Sequence, residues 1–494
     1  MSRTLGLKSG IGLVIANMVG AGVFLSTGFM AQELSAGQVL LAWVVGAVLA
    51  LCGAVAYAEV SRLVPRGGGE YRYLSTLLHP AAGYLAGWAS LLVGFSAPTA
   101  LDALAAGAFA RAVFPALSPQ LVGAVLILLL TVVHALGLHL SARVQNGLVA
   151  VKVALLATFV LVGVTKGSLA WPTWAPPHAA AEPVSAIVGS LFFIAFAFSG
   201  WNAAVYAADE FREPQRDVPR AMLVGCLVVG ALYLVVNFIF VANLTPAQGT
   251  VVFNYDAFTG DKGQFDQVTL GQAVMAALLG PVAAKVMSAV MLVLFISAMS
   301  AMLMVGPRVY AAMAKDGFLP AVLAGREGQP PTGAVLLQGA IAIALLFTHD
   351  VRTVLSNVGA ILVLFAALTV LGLFLARFRE GRVELPPSWQ VLLAVLLVVG
   401  VGAVMVTEAI PLGLRVGASL VVGGAAAVLR RRANGGAGPS LLGLLGAAVY
   451  VMSAGWMLFV GFRNSLNLLG WVALVAFVGV GAYALTRRWR GATS

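Results

Sequence analysis

Charge is scarce in this chain. Only 10% of its 494 residues are charged, while 61% are hydrophobic. Soluble domains carry about 25% charged residues, and no soluble core hides so much apolar surface, so a soluble globular protein is excluded. Cysteine is nearly absent too. Cys52 and Cys226 both fall inside apolar segments and read as small core residues, not as a disulfide or a metal pair. The five histidines are scattered, with no H-E-x-x-H and no Cys/His cluster, which leaves metal catalysis without support. There is no G-x-x-x-x-G-K-[ST], hence no P-loop. The run PRGGGEY at 65–71 is glycine-rich but lacks that lysine and reads as a loop. No nucleophile–base pair stands out, so the chain reads as a non-enzyme with no cofactor, and neither nucleotide nor nucleic acid is a partner.

Long apolar runs are plentiful. A bilayer core of about 30 Å needs roughly 20 apolar residues as helix. Fourteen such segments are predicted, near 10–32, 38–62, 82–113, 120–140, 143–165, 184–209, 220–243, 281–305, 331–348, 352–376, 388–409, 411–429, 440–460 and 467–486. The first is too long for a cleavable signal peptide and lacks an A-x-A exit, so it is expected to stay as a span. The net charge of +11 is one-sided. Of the 29 Lys and Arg residues, 21 fall in the two tails and the even-numbered turns, and seven fall on the other side. That is the positive-inside pattern, with both termini in the cytosol, an even number of spans, and lipid as a partner.

Two spans weaken themselves. IANMVGAGVF at 15–24 carries Gly20 and Gly22, and FFIAFAFSGWNAAVYAADE at 192–210 carries Ser199 and Gly200, followed by Trp201 and Asn202. Glycine inside a helix costs about 1 kcal/mol relative to alanine. Helix packing explains many such glycines in membranes, but here the breaks fall in the first and sixth spans. An odd offset brings the sixth span in from the opposite side, as an inverted repeat of five plus five helices predicts. Unwound backbone at membrane depth is tolerated only in protein or beside a wet cavity. There it offers N–H groups to a carboxylate and C=O groups to an ammonium, and an α-amino acid carries both.

Four stretches then look familiar. VGAGVF at 19–24, AYAEVSRLVPRGGGEYRYL at 56–74, FAFSGWNAAVYAADEFREPQRDVPRA at 196–221 and MSAMLMVGPRVYAAMAKDGFLP at 299–320 resemble, in order and spacing, the amino acid–polyamine–organocation transporter superfamily. The resemblance implies a LeuT-like all-α membrane fold with discontinuous helices 1 and 6, amino-acid or amine substrates, and alternating access. It implies that Met18, Gly20, Ala21 and Gly22 bind the substrate carboxylate and that carbonyls of Phe196, Ala197 and Ser199 hold the α-amino group, with Phe196 as an aromatic gate. Trp201 and Asn202 resemble the GWN of the L-type, exchanger-like branch, whereas fourteen spans resemble the cationic amino acid transporter branch. Residues 1–165 and 184–376 are the expected repeats, and 388–486 additional spans of scaffold or oligomer surface.

Two intramembrane charges stand apart. Lys152, in NGLVAVKVALLATF of the fifth span, is costly in lipid and readily loses its proton. In proton-coupled members of the family a matching lysine stands where sodium-coupled relatives hold a cation, which implies sodium independence and proton coupling. Lys152 is expected to bridge the first and eighth spans; the plainer reading is a side chain snorkelling to the interface. Asp102, in the third span four residues after Pro98, either meets a cationic substrate side chain, relays a proton, or has a structural partner. It is expected in the outer half, at a different height from Lys152. The mixed-sign run 209–220 reads as part of an inner gate, 308–317 as an amphipathic cytosolic helix, and the acidic loop 244–270 as an external lid. The expected whole is an inner-membrane amino acid transporter working by proton symport or exchange. An amino-acid/polyamine antiporter and a transport-inactive sensor of the same fold are the alternatives.

Overall fold

In hydrocarbon an unpartnered backbone N–H or C=O is expensive, so apolar runs of this length fold as helix. The computed structural model describes residues 5–176 except 32 and 115, 183–243, 270–347 except 327 and 328, 351–380, 446–455 and 457. In chain order the helices are α1 (Leu7–Met18), α2 (Ala21–Met30), α3 (Ala36–Leu63), α4 (Gly69–Leu77) and α5 (Pro80–Ala89). A π-helical stretch (Ser90–Ser96) leads into α6 (Ala97–Val113). Then come α7 (Pro119–Leu136), α8 (Leu138–Lys166), α9 (Pro183–Ala197), α10 (Ala203–Tyr206) and α11 (Pro214–Ala242). They are followed by α12 (Leu270–Leu279), α13 (Pro281–Val305), α14 (Pro307–Lys315), α15 (Thr332–Leu346) and α16 (Val351–Glu380), and by α17 (Gly446–Gly455).

Among the described residues six helices are long and apolar enough to cross a bilayer, and α1 with α2, bent by 45°, would make a seventh. The predicted spans 388–409, 411–429 and 467–486 lie outside the described residues, as do about half of 440–460 and the acidic loop up to residue 269. Two helices lie between the expected spans: α12, which starts at the last residue of the acidic loop, and α4, which begins inside the glycine-rich run. Gly68 and Gly69 enter α4 with φ of 114° and 57°, the left-handed region that favours glycine.

The third span loses regular α geometry just before Pro98. Proline has no N–H for the carbonyl one turn earlier, and the helix widens to π geometry just before it. The hydroxyl of Thr99 donates to the carbonyl of Phe95 at 2.6 Å.

The helices leave two ends. At one, Leu5 pairs with the strand-like Phe211, Arg308 meets Glu210 at 2.6 Å, and Arg72 meets Asp316 at 2.7 Å. At the other, the carbonyl of Trp174 accepts the N–H of Ala36, and Asn243 accepts the N–H of Ser168. The turns predicted to share a side thus meet at a common end.

Candidate functional site

The first break is short. α1 stops at Met18, Val19 is extended at φ −79° and ψ 93°, and Gly20 at φ −135° and ψ −152° serves as N-cap of α2. Gly20 has no side chain with which to cap that terminus. The first-turn N–H groups of a helix have no intrahelical partner and carry the positive end of its dipole, so α2 presents donors at the break. The carbonyls of α1 are already engaged. Lys152, fully buried, donates from α8 to the carbonyls of Ala16 at 3.1 Å and Val19 at 2.5 Å. The ammonium therefore does not snorkel. Both its bonds go to the first span, and none to α13 of the eighth span is seen among the described residues.

The second break is longer. α9 ends at Ala197, and regular helix resumes only for the four residues of α10 before a 3-10 turn at Ala208–Glu210. Gly200 takes φ +94°, and a Cβ built there would stand 2.8 Å from the carbonyl carbon of Asn17. Conformation and space both demand glycine, and the two breaks touch at this point. The carbonyl of Phe196 accepts Ser199 N–H at 2.9 Å. A carbonyl has two lone pairs, so it keeps one for a further donor.

Tyr233 of α11 was not singled out from the sequence. Its hydroxyl lies 2.6 Å from the Met18 carbonyl and 3.1 Å from the Ala197 carbonyl. One proton serves two acceptors, so a single side chain ties both breaks together. A tyrosine one helical turn before a buried asparagine, Asn237, in an apolar span was the available signal. Asn237 joins Thr27 of α2, whose hydroxyl also accepts the Trp43 indole N–H at 2.7 Å.

Gly20 and Gly22 do different things. A Cβ on Gly20 would lie 3.5 Å from Oδ2 of Asp102 and 3.3 Å from the Ala298 methyl, whereas one on Gly22 would lie 2.8 Å from the Cβ of Ala197. Gly22 sits within α2 and permits its close approach to α9; the break itself is Val19–Gly20. The carboxylate of Asp102 thus faces the N-cap of α2, and it is an electrostatic neighbour of Lys152. The expectation that the two charges sit at different heights does not hold: both gather at the first break.

A cavity of about 100 Å³ adjoins the second break, bordered by Asn17, Ser199, Gly200, Trp201 and Asn202. Met18, Gly20, Gly22, Phe196, Ala197, Asp102 and Lys152 are not among the described residues on its wall. Phe196 is buried, and Phe198 rather than Phe196 faces the cavity. Trp201 packs edge-on against Tyr57, ring centroids 4.7 Å apart. Glu70 of α4 also borders it. Glu70 accepts from Asn202 at 2.5 Å, from the Tyr206 hydroxyl at 2.6 Å and from the Tyr57 hydroxyl at 3.0 Å. Burial raises the pKa of Glu70 above its ordinary value, against the pull of these bonds.

The sequence model of the amino acid permease family matches residues 5–428. The chain belongs to the amino acid permease family. This permease is 29% identical over 400 residues to the large neutral amino acids transporter small subunit 2 of Rattus norvegicus, covering 78% of this chain and 72% of that one. It is 27% identical over 399 residues to the b(0,+)-type amino acid transporter 1 of Mus musculus, covering 78% of each. In structure it is similar to Mhp1, a nucleobase-cation-symport-1 family transporter in a closed conformation with bromovinylhydantoin bound, with TM-score 0.50, 16% identity and 94% of each chain covered. At that identity the likeness speaks for the LeuT-like fold alone. The permease is a multi-pass membrane protein and not an enzyme.

Proposed function

We propose that this permease carries amino acids across the inner membrane by alternating access, independently of sodium, with a proton or a second amino acid as the coupled species. The observation that carries the reading is the cation already installed at the hinge. Lys152 holds the carbonyls of Ala16 and Val19 in the place where a free metal cation would serve. The N-terminus of α2 receives the substrate carboxylate, and the remaining acceptor sites of Phe196, Ala197 and Ser199 receive its ammonium. Residues 1–165 and 184–376 act as inverted repeats moving about this pair of breaks, with both termini in the cytosol.

Asp102 supplies a reason for proton coupling. Its carboxylate faces the same helix terminus that the substrate carboxylate needs, and two carboxylates sharing a site repel. A proton travelling with the substrate removes the repulsion. The position of Asp102 supports this role over side-chain selection, because a Cβ on Gly20, at the carboxylate end of the site, would lie 3.5 Å from its Oδ2.

Proteoliposomes given a panel of labelled amino acids, with and without an imposed pH gradient, test the proposal. Uptake stimulated by an inward proton gradient, lost with Lys152→Ala and made gradient-insensitive by Asp102→Asn, is the expected result. Full transport by Lys152→Ala with unchanged pH dependence would overturn the role given to the lysine. Exchange is read separately: preloaded vesicles accelerate uptake in an exchanger and not in a symporter. Binding without flux in either format would make the protein a sensor.

A further inference from the structure

The glycine-rich run that reads as a loop delivers a carboxyl for which the transport reading has no use. Glu70 is 6% exposed and borders the cavity. Its three donors, Tyr57, Asn202 and Tyr206, are all neutral. No Lys, Arg or His stands on the cavity wall among the described residues. Its own backbone N–H also reaches the carboxyl, so the about four acceptor sites of a carboxylate are met by neutral groups alone. Burying a carboxylate without a cation is costly, and the partner that this site lacks is a positive charge.

The rest of the wall is of another kind. Leu49, Phe95, Leu191, Phe198, Ile361 and Tyr450 present carbon to the cavity. A volume of about 100 Å³, at about 10–15 Å³ per water-sized probe, holds on the order of seven non-hydrogen atoms. The compartment therefore sets one acidic group among apolar side chains, and it is small.

We propose that this cavity binds a primary ammonium carried on a short apolar stem, the ammonium on Glu70 and the stem among Leu49, Phe198 and Ile361. The chemistry is shared by the end of a cationic amino acid side chain and by a free alkylamine. Amine binding stands whether or not the protein transports; only its use for a substrate side chain rests on the transport reading.

The test uses the full-length protein in detergent with n-butylamine as probe and n-butanol as its neutral counterpart, read by calorimetry. Butylamine binds at least tenfold tighter than butanol, and Glu70→Gln removes that preference. Ala50→Leu narrows the cavity from α3 without touching the bonds of Glu70, and it weakens butylamine at least tenfold; if Glu70→Gln does not fold, this variant carries the test. Equal affinity for amine and alcohol, or butylamine affinity unchanged in the folded variants, overturns the proposal. Uptake assays then separate the sources. Lysine uptake blocked by butylamine and reduced more than leucine uptake by Ala50→Leu assigns the site to a substrate side chain. Butylamine selectivity without lysine transport assigns it to a free amine. Butylamine selectivity with no amino acid uptake at all sinks the transport reading and leaves the amine site standing.

Discussion

At the scale of single residues the chain concentrates its few polar groups at one place. Lys152 was legible because a charge inside twenty apolar residues has no bland surface to occupy, and its burial follows from the carbonyls the break frees. Tyr233 was not legible. Its bonds run to Met18 and Ala197, 215 and 36 residues away in sequence, and tyrosine in an apolar span looks like any aromatic. Glu70 was hidden for a related reason: glycines that suggest a surface loop here let α4 press against Tyr206, where a Cβ on Gly69 would strike the ring. The tyrosine hydroxyl makes a sharp prediction. Tyr233→Phe keeps the ring and removes the hydroxyl that links the two breaks through one proton. A neutral hydrogen bond contributes about 1 kcal/mol net, so uptake is expected to fall roughly five- to tenfold, with melting temperature little changed. Wild-type uptake by this variant would show that the breaks hold together without the hydroxyl.

At the scale of elements, the apolar runs named the helices and the glycines named the breaks. They did not say which glycine did what. Gly20 and Gly22 look equivalent in V-G-A-G-V-F, yet one faces Asp102 and the other the backbone of α9. Substitution separates them. Gly22→Ala forces a methyl into the α2–α9 contact, and overpacking of this kind costs about 1–3 kcal/mol. Lower folded yield and a lower melting temperature are expected. Gly20→Ala meets Ala298 at 3.3 Å, a contact that yields more easily, so it should fold and lose uptake instead. The reverse pattern would place the hinge at Gly22. The sixth span was half legible: its break is where Ser199 and Gly200 put it, but α10 is only four residues long, because the chain turns at once to reach Leu5.

The same end carries an electrostatic tie between elements. Burial pushes the Glu210 pKa up, but the Arg308 guanidinium outweighs it and holds the carboxyl below its ordinary 4.5. A depressed folded pKa means that the stabilisation is present above the unfolded value and is lost as pH falls through the folded one. The melting-temperature gap between wild type and Glu210→Gln should therefore be constant above roughly pH 5.5 and shrink below about pH 4.5. A gap that persists at lower pH would mean that the carboxyl acts by packing and not by charge.

At the scale of the whole molecule, charge and packing agree on sidedness. The basic residues sort the turns into two sides, and the packing brings the same turns together at two ends. Leu5, Arg72, Glu210, Arg308 and Asp316 share one end through bonds and ion pairs, while Ala36, Ser168, Trp174 and Asn243 share the other. The first set is the one the positive-inside count gives to the cytosol. The ends beyond residue 380 took no part in this agreement, because the spans expected there lie largely outside the described residues. Cysteine labelling decides which end faces which compartment. In a background of Cys52→Ala and Cys226→Ala, Arg216→Cys replaces a side chain 60% exposed at the basic end, and Leu169→Cys one 55% exposed at the other. A membrane-impermeant maleimide added to intact cells should modify position 169 and reach position 216 only after permeabilisation. Labelling of 216 in intact cells would invert the molecule in the membrane. It would also turn the proton gradient proposed to drive uptake against the fold that is meant to use it.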